Sequence, residues 1–165
     1  MNQSLILLRH GQRQGFDDAL TEHGKRQVEE RCHFLFQAFG DQIDFMSSPK
    51  QRCLQSLETL SSLCKKPALI VEDLSERFDS EDSKAFEKRV KNALETRFLN
   101  STSSITLICS HSDWLFVAAK FLLDLQIQFL EGSWAQLQKN QDQWILKDFV
   151  SSDEDFQIMK NQWRP

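Results

Sequence analysis

Two apolar runs in this chain end in a histidine: Ser4-Leu5-Ile6-Leu7-Leu8-Arg9-His10-Gly11 and Ser104-Ile105-Thr106-Leu107-Ile108-Cys109-Ser110-His111. An unbroken aliphatic run predicts a strand buried on both faces, because an exposed face would demand alternation. If the two strands are parallel neighbours, His10 and His111 leave the same edge of one sheet, at the carboxyl ends where open α/β sheets place their ligands. A single strand-end histidine is usually a polar residue where a strand surfaces. Two of them, one preceded by Arg9, favour a site. Arg52 stands in the first turn of a helix that opens after Ser47-Ser48-Pro49, where free N–H groups and the helix dipole favour an anion. Alone it would read as a solvent-facing helix residue. An acidic loop, Glu72-Asp73-Leu74-Ser75-Glu76-Arg77, supplies a carboxylic acid, and composition leaves the choice among Glu72, Asp73 and Glu76 open.

Arginines, two histidines and one acid at a sheet edge suit phosphoryl transfer to a histidine. An imidazole nitrogen can attack phosphorus in line when its other nitrogen is held by a hydrogen bond that fixes the tautomer. Guanidinium groups and a second, protonated histidine can hold the equatorial oxygens as charge spreads over them. The acid protonates the departing atom and, as a carboxylate, later activates water. The sequence shows no carboxylate cluster for a metal, and no cofactor is implied.

The elements that must position these groups follow in order. Gln12 to Leu20 is a polar loop. Thr21 caps a helix whose inward face is Val28, Cys32, Leu35, Phe36 and Phe39, stopped by Gly40. His23 and His33 read as surface residues. A second strand spans Ile43 to Met46, and one continuous helix then runs from Pro49 through Cys64, with Cys53, Leu57, Leu60 and Cys64 inward. Lys66-Pro67 turns into a third strand, Ala68 to Val71. Ser83 begins a helix with Phe86, Val90, Leu94 and Phe98 inward and Glu87, Lys88, Arg89 and Glu95 on a solvated face. Asn100 to Ser103 is a loop. Ser112 is the expected cap of a buried helix over Asp113 to Leu125. Gly132 to Gln138 and Gln143 to Val150 form an antiparallel edge hairpin across Lys139 to Asp142, and Ser151 to Pro165 is a short helix or a frayed tail. The βαβαβαβα order predicts a three-layer α/β/α sandwich with a mostly parallel central sheet, a single domain over residues 1–165.

Composition sets the limits. A chain of 165 residues with 40% hydrophobic and 27% charged residues suits a soluble folded domain. The net charge of -4 gives no general field for nucleic acid or an anionic membrane, so an anion site must be local. Cys32, Cys53, Cys64 and Cys109 are dispersed and read as small buried hydrophobes in a reducing compartment. With no leader and no span-length apolar run, a cytoplasmic monomer is expected. Trp134, Trp144 and Trp163 are expected to pack within the monomer.

Several ordered motifs resemble the histidine phosphatase superfamily, the phosphoglycerate mutase-like branch 1. Leu8-Arg9-His10-Gly11 is similar to its R-H-G signature, and Leu20-Thr21-Glu22-His23-Gly24 with Gln27 to its L-T-x-x-G-x-x-Q segment. Ser47-Ser48-Pro49-Lys50-Gln51-Arg52-Cys53-Leu54-Gln55-Ser56 resembles S-S-P-x-x-R-x-x-Q-T. Leu74-Ser75-Glu76, Phe86 with Arg89-Val90, and Ser110-His111 follow in the family's order. The resemblance implies His10 as the phosphorylated nucleophile, Arg9, Arg52 and His111 as the rest of the phosphate pocket, and Glu76 as proton donor. The chain departs from the family at Arg13, where threonine is common, and at Gly15-Phe16, near a phosphate-holding asparagine; Arg13 could recruit an anionic substrate. The short region after Glu76 lacks the usual inserted lid, which is similar to SixA-like phosphohistidine phosphatases. The implied substrate is phosphohistidine on a protein. The alternatives are a small-molecule phosphomonoesterase and a catalytically silent phospho-binding domain. A mutase fits less well, since a lidless pocket lets water intercept the phosphoenzyme.

Overall fold

Strand β1 (Ser4–Arg9) lies inside a six-stranded sheet, and Leu5, Ile6, Leu7 and Leu8 are all buried, as the unbroken apolar run requires. On one side it pairs in parallel with β4 (Ile105–Ser110) and on the other antiparallel with β5 (Trp134–Asn140). Beyond β4 come β2 (Asp44–Ser47) and the two-residue β3 (Leu69–Ile70), both parallel; beyond β5 comes β6 (Gln143–Val150), antiparallel. The order is β3-β2-β4-β1-β5-β6. This computed structural model describes residues 3–16, 18–98 and 103–162.

Alternate β1 side chains enter opposite cores. Leu5 and Leu7 join Phe86, Val90 and Leu94 of α4 (Ser83–Arg97) and Trp114 and Leu115 of α5 (Ser112–Leu123). Ile6 and Leu8 join Cys32 and Leu35 of α1 (Glu22–Phe39), Cys53 of α2 (Gln51–Ser56), Leu60 of α3 (Glu58–Cys64) and Phe156 of α6 (Asp153–Gln162). Each such leucine contributes about 1.5–3 kcal/mol by leaving water. The result is the expected α/β/α sandwich.

The structure corrects several expected boundaries. The helix expected from Pro49 through Cys64 is two helices, parted at Leu57 (φ -111°, ψ 2°). The Ser56 hydroxyl donates back to the Arg52 carbonyl at 2.7 Å, a side-chain bond that bends helices. The cap of α5 is His111, and the helix starts at Ser112, whose hydroxyl donates to the Phe129 carbonyl at 3.3 Å instead. Strand β3 keeps only the residues that pair with Met46 and Ser47. The hairpin begins two residues later than predicted and turns over Gln141 and Asp142, and α6 takes up most of the tail. The expected Thr21 cap is present: its hydroxyl accepts the Gly24 N–H at 2.9 Å.

Trp134 packs edge-on against Phe34 at 5.6 Å, and Trp144 is half-buried over the α5 side; Trp163 and most of the Asn100 to Ser103 loop lie outside the described residues. Cys32, Cys53 and Cys109 are buried and Cys64 half-buried, all as free thiols. His33 is exposed, and His23 makes a half-exposed pair with Asp153 at 3.2 Å. Among the described residues no helix is long and apolar enough to cross a membrane.

Candidate active site

The register that sets Arg9 opposite Ser110 delivers His10 and His111 side by side where β1 and β4 end. Their rings lie 5.5 Å apart, tilted by 59°. His10 Nδ1 donates to the Gly11 carbonyl at 2.8 Å, and that partner assigns the tautomer and leaves a lone pair on Nε2. The guanidinium of Arg52 reaches both imidazoles. Its Nε donates to His10 Nε2 at 3.2 Å and its Nη2 to His111 Nδ1 at 3.0 Å. His111 therefore carries its proton on Nε2, which donates to the Ser48 hydroxyl at 2.8 Å.

Two carboxylates complete the surroundings of Arg52. Its Nη2 donates to Glu76 Oε2 at 2.8 Å and its Nη1 to Asp18 Oδ1, while Asp18 Oδ2 accepts the Gln51 N–H at 2.8 Å. Burial opposes the charge of Arg52, but Glu76 and Asp18 outweigh it and hold the guanidinium above its ordinary value. Both imidazoles are driven the other way. Burial first, then the charges of Arg52 and Arg9, lower His10 to about 3, against the raising effect of its hydrogen bond to the Gly11 carbonyl. Burial, Arg52 and His10 lower His111 to about 2. Both rings are therefore neutral at physiological pH. For His10 this leaves an unprotonated Nε2, whose lone pair accepts from Arg52 Nε. For His111 it departs from the expected protonated ring: with Nδ1 accepting from Arg52, only an added negative charge would draw a proton there.

Of the acids left open by the sequence, Glu76 is the one that reaches this cluster. Its Oε2 stands 4.0 Å from His111 Nδ1, and Lys50 Nζ is 4.0 Å from its Oε1. Glu72 is exposed, and Asp73 faces Arg97 at 3.9 Å. Arg9 stands outside the hydrogen-bonded ring: its Nη1 donates to the Phe129 carbonyl at 2.7 Å, and its buried Nε has no partner among the described residues. It acts on the imidazoles through its field. Arg13 does likewise on His10, and its N–H donates to Glu131 at 3.4 Å.

The loop bearing Glu76 is fastened from behind by Arg89, which corrects its expected place on a solvated face. Its guanidinium donates to the carbonyls of Asp73 (2.9 Å), Ser75 (3.0 Å) and Glu76 (3.1 Å) and forks onto Glu81 at 2.8 and 2.7 Å. Trp114 Nε1 and the Ser110 hydroxyl donate to the carbonyls of Asp73 and Leu74, at 2.8 and 2.6 Å.

The turn after His10 is equally constrained. A Cβ on Gly11 would come within 2.6 Å of the Gly24 carbonyl oxygen, and a Cβ on Gly24 within 2.1 Å of the Gln12 carbonyl oxygen, so the start of α1 lies directly on the turn. The Gly11 N–H donates to the Ser56 hydroxyl at 3.0 Å, which ties β1 to the helix of Arg52. Sequence reasoning assigned no role to Ser48, Ser56, Asp18 or Arg89. Ser48 and Ser56 carried a signal, one in the Ser-Ser-Pro turn and one a helical turn beyond Arg52, and Arg89 carried one in the family-like Phe86 with Arg89-Val90 motif, although it sits among other helix charges; Asp18 sits in an unpatterned polar loop.

The family model of the histidine phosphatase superfamily (branch 1) matches residues 5–79, which contain His10, Arg52 and Glu76. Over that stretch, a little under half of its length, the chain is similar to that superfamily. Solved structures extend the likeness of fold to nearly the whole chain. A mutant phosphoserine phosphatase from Entamoeba histolytica, in complex with phosphoserine, superposes with a TM-score of 0.75 at 18% identity, covering 93% of this chain and 98% of that one. A candidate α-ribazole-5'-P phosphatase from Escherichia coli gives 0.75 at 18% identity, over 91% and 96%. A candidate phosphohistidine phosphatase, SixA from Agrobacterium tumefaciens, gives 0.67 at 17% identity, over 91% and 98%. No curated protein matches the sequence.

Proposed function

We propose that this chain is a phosphatase that works through a phosphohistidine on His10, without a metal, and that its substrate is phosphohistidine on a protein. The phosphatase reading rests on the family-model match over residues 5–79 and on phosphatase neighbours in fold. The observation that carries the mechanism is the pairing of a fixed tautomer with a guanidinium: Nδ1 of His10 is spent on Gly11, and Arg52 Nε lies 3.2 Å from the Nε2 lone pair. In the first half-reaction Nε2 attacks phosphorus, the bond from phosphorus to the leaving oxygen or nitrogen breaks, and Glu76, which takes up a proton from solvent as the phosphoryl group replaces it on Arg52, gives that proton to the leaving atom. Arg52, with the field of Arg9, stabilises the equatorial oxygens, and the phosphoryl charge favours a proton on His111. In the second half-reaction Glu76 takes a proton from water as its oxygen attacks phosphorus, and the bond to Nε2 breaks, releasing phosphate.

The substrate choice rests on openness. Only Arg77 to Asp82 separate Glu76 from α4, and the Glu76 and Asp18 side chains are each 40% exposed, so a protein side chain can approach. The His10→Ala protein should lose covalent labelling by a phosphoryl donor while keeping its melting temperature. Labelling or turnover that persists would remove the mechanism. Equal or better turnover of sugar, serine or nucleotide phosphates than of a phosphohistidine protein would move the assignment to a small-molecule phosphomonoesterase, and a protein inert to both, unlabelled at His10, would be a silent binding domain.

A further inference from the structure

The guanidinium of Arg52 divides its nitrogens unevenly. Nε and Nη2 face the two imidazoles and Glu76, where the phosphoryl group would sit, and Nη1 points to Asp18. The same carboxylate takes the N–H of Gln51 with its other oxygen, so one side chain grips the backbone entering Arg52 and the far end of its guanidinium. Asp18 reaches in from the loop between β1 and α1, whose ends are held by the Arg13–Leu20 bridge and by the Leu20 N–H on Gln55 at 2.8 Å. A carboxylate on Nη1 keeps the Nε/Nη2 edge turned inward, toward the imidazoles and Glu76, and restrains rotation about the last bonds of the arginine side chain.

We propose that Asp18 is a positioning residue of the phosphatase site: by clamping Nη1 it aims the Nε/Nη2 edge of Arg52 at the phosphoryl oxygens. Asp18 touches neither phosphorus nor the leaving group. The opposing possibility is that Asp18 competes with phosphate for the guanidinium, and the two make opposite predictions when the carboxylate is removed. The inference rests on the phosphatase reading above.

The test measures vanadate binding, kcat and KM for a chromogenic phosphate ester, and thermal melting, in the full chain and in Asp18→Ala and Asp18→Asn. Positioning predicts that Asp18→Ala weakens vanadate binding and lowers kcat/KM, each by about ten- to a hundredfold, as expected for losing a charge-assisted hydrogen bond. Asp18→Asn, whose amide oxygen can still accept a hydrogen bond, should recover most of the loss, and both variants should melt close to the parent. Vanadate binding in Asp18→Ala that equals or exceeds the parent's would overturn the inference in favour of competition or irrelevance. So would an asparagine variant as impaired as the alanine one. A parent protein that neither binds vanadate nor turns over the ester would instead overturn the phosphatase reading, and this inference with it.

Discussion

Arg52 and Arg31 are equally hidden from solvent, at 3% and 2% exposure, yet their surroundings are opposites. Arg31 spends its donors on the carbonyls of Gly132 (2.6 Å) and Gln27 (2.9 Å) and on Asp153 (2.7 Å), with the Phe156 ring 4.6 Å from its Cζ. It staples α1 to the loop before β5 and to α6. Among the described residues Arg52 donates to no backbone carbonyl that holds the fold together; its partners there are two imidazole lone pairs and two half-exposed carboxylates. A buried arginine is thus no sign of chemistry in itself. What separates the two is whether the donors are consumed by the fold or face groups that a ligand can reach.

The contrast can be broken at several points. Arg52→Ala should lower kcat by about a thousandfold, the scale of losing preorganised donors to a developing charge, with a modest change in melting temperature. A loss below about tenfold would make Arg52 another staple. Arg31→Met should do the reverse: about 3 kcal/mol of stability lost by urea unfolding, with kcat/KM close to the parent's. An active but unimpaired Arg52 variant beside an inactive Arg31 variant would invert the assignment. Arg89→Gln, which frees the Glu76 loop, should cost about tenfold in kcat on esters with poor leaving groups and little on good ones, since only the former need the acid in place.

A further difference is in pH. The folded protein keeps His10 neutral down to about 3 and His111 down to about 2, whereas imidazoles in an unfolded chain take protons from 6.5. The unfolded state therefore binds more protons in that window, and stability, full above 6.5, falls as pH drops toward about 3. The fall between about pH 7.5 and about pH 4.5 should shrink in His111→Asn, measured by urea midpoints. An unchanged slope would mean that His111 titrates normally in the folded protein.

The parallel core of this fold was legible because burial on both faces leaves a plain mark: an unbroken aliphatic run at Leu5 to Leu8 and a β-rich run at Ile105 to Ile108, punctuated by chemistry at their ends. The helices α1 and α4 were legible through the helical spacing of their inward residues, and α1 also through its Thr21 cap. What failed were features decided by a single side-chain bond. The kink at Leu57 depends on where the Ser56 hydroxyl points, and the start of α5 on Ser112 choosing Phe129. In the site, His10, Arg52 and His111 were readable from position in an element. Glu76 was singled out from its acidic neighbours only by the family's order. Arg89 was misread because a charge that grips backbone carbonyls looks, in one dimension, like a charge that faces water.

The contact between the turn at Gly11 and the first turn of α1 at Gly24 has a consequence for how this chain can vary. Neither glycine has a side chain to do chemistry with, yet a methyl group at either would wedge two backbones apart and displace the imidazole of His10. In a saturation survey these two positions should be among the least forgiving in the chain, and a second-site suppressor would have to move main chain. Substitution tolerance alone would then credit two silent residues with the enzyme's chemistry.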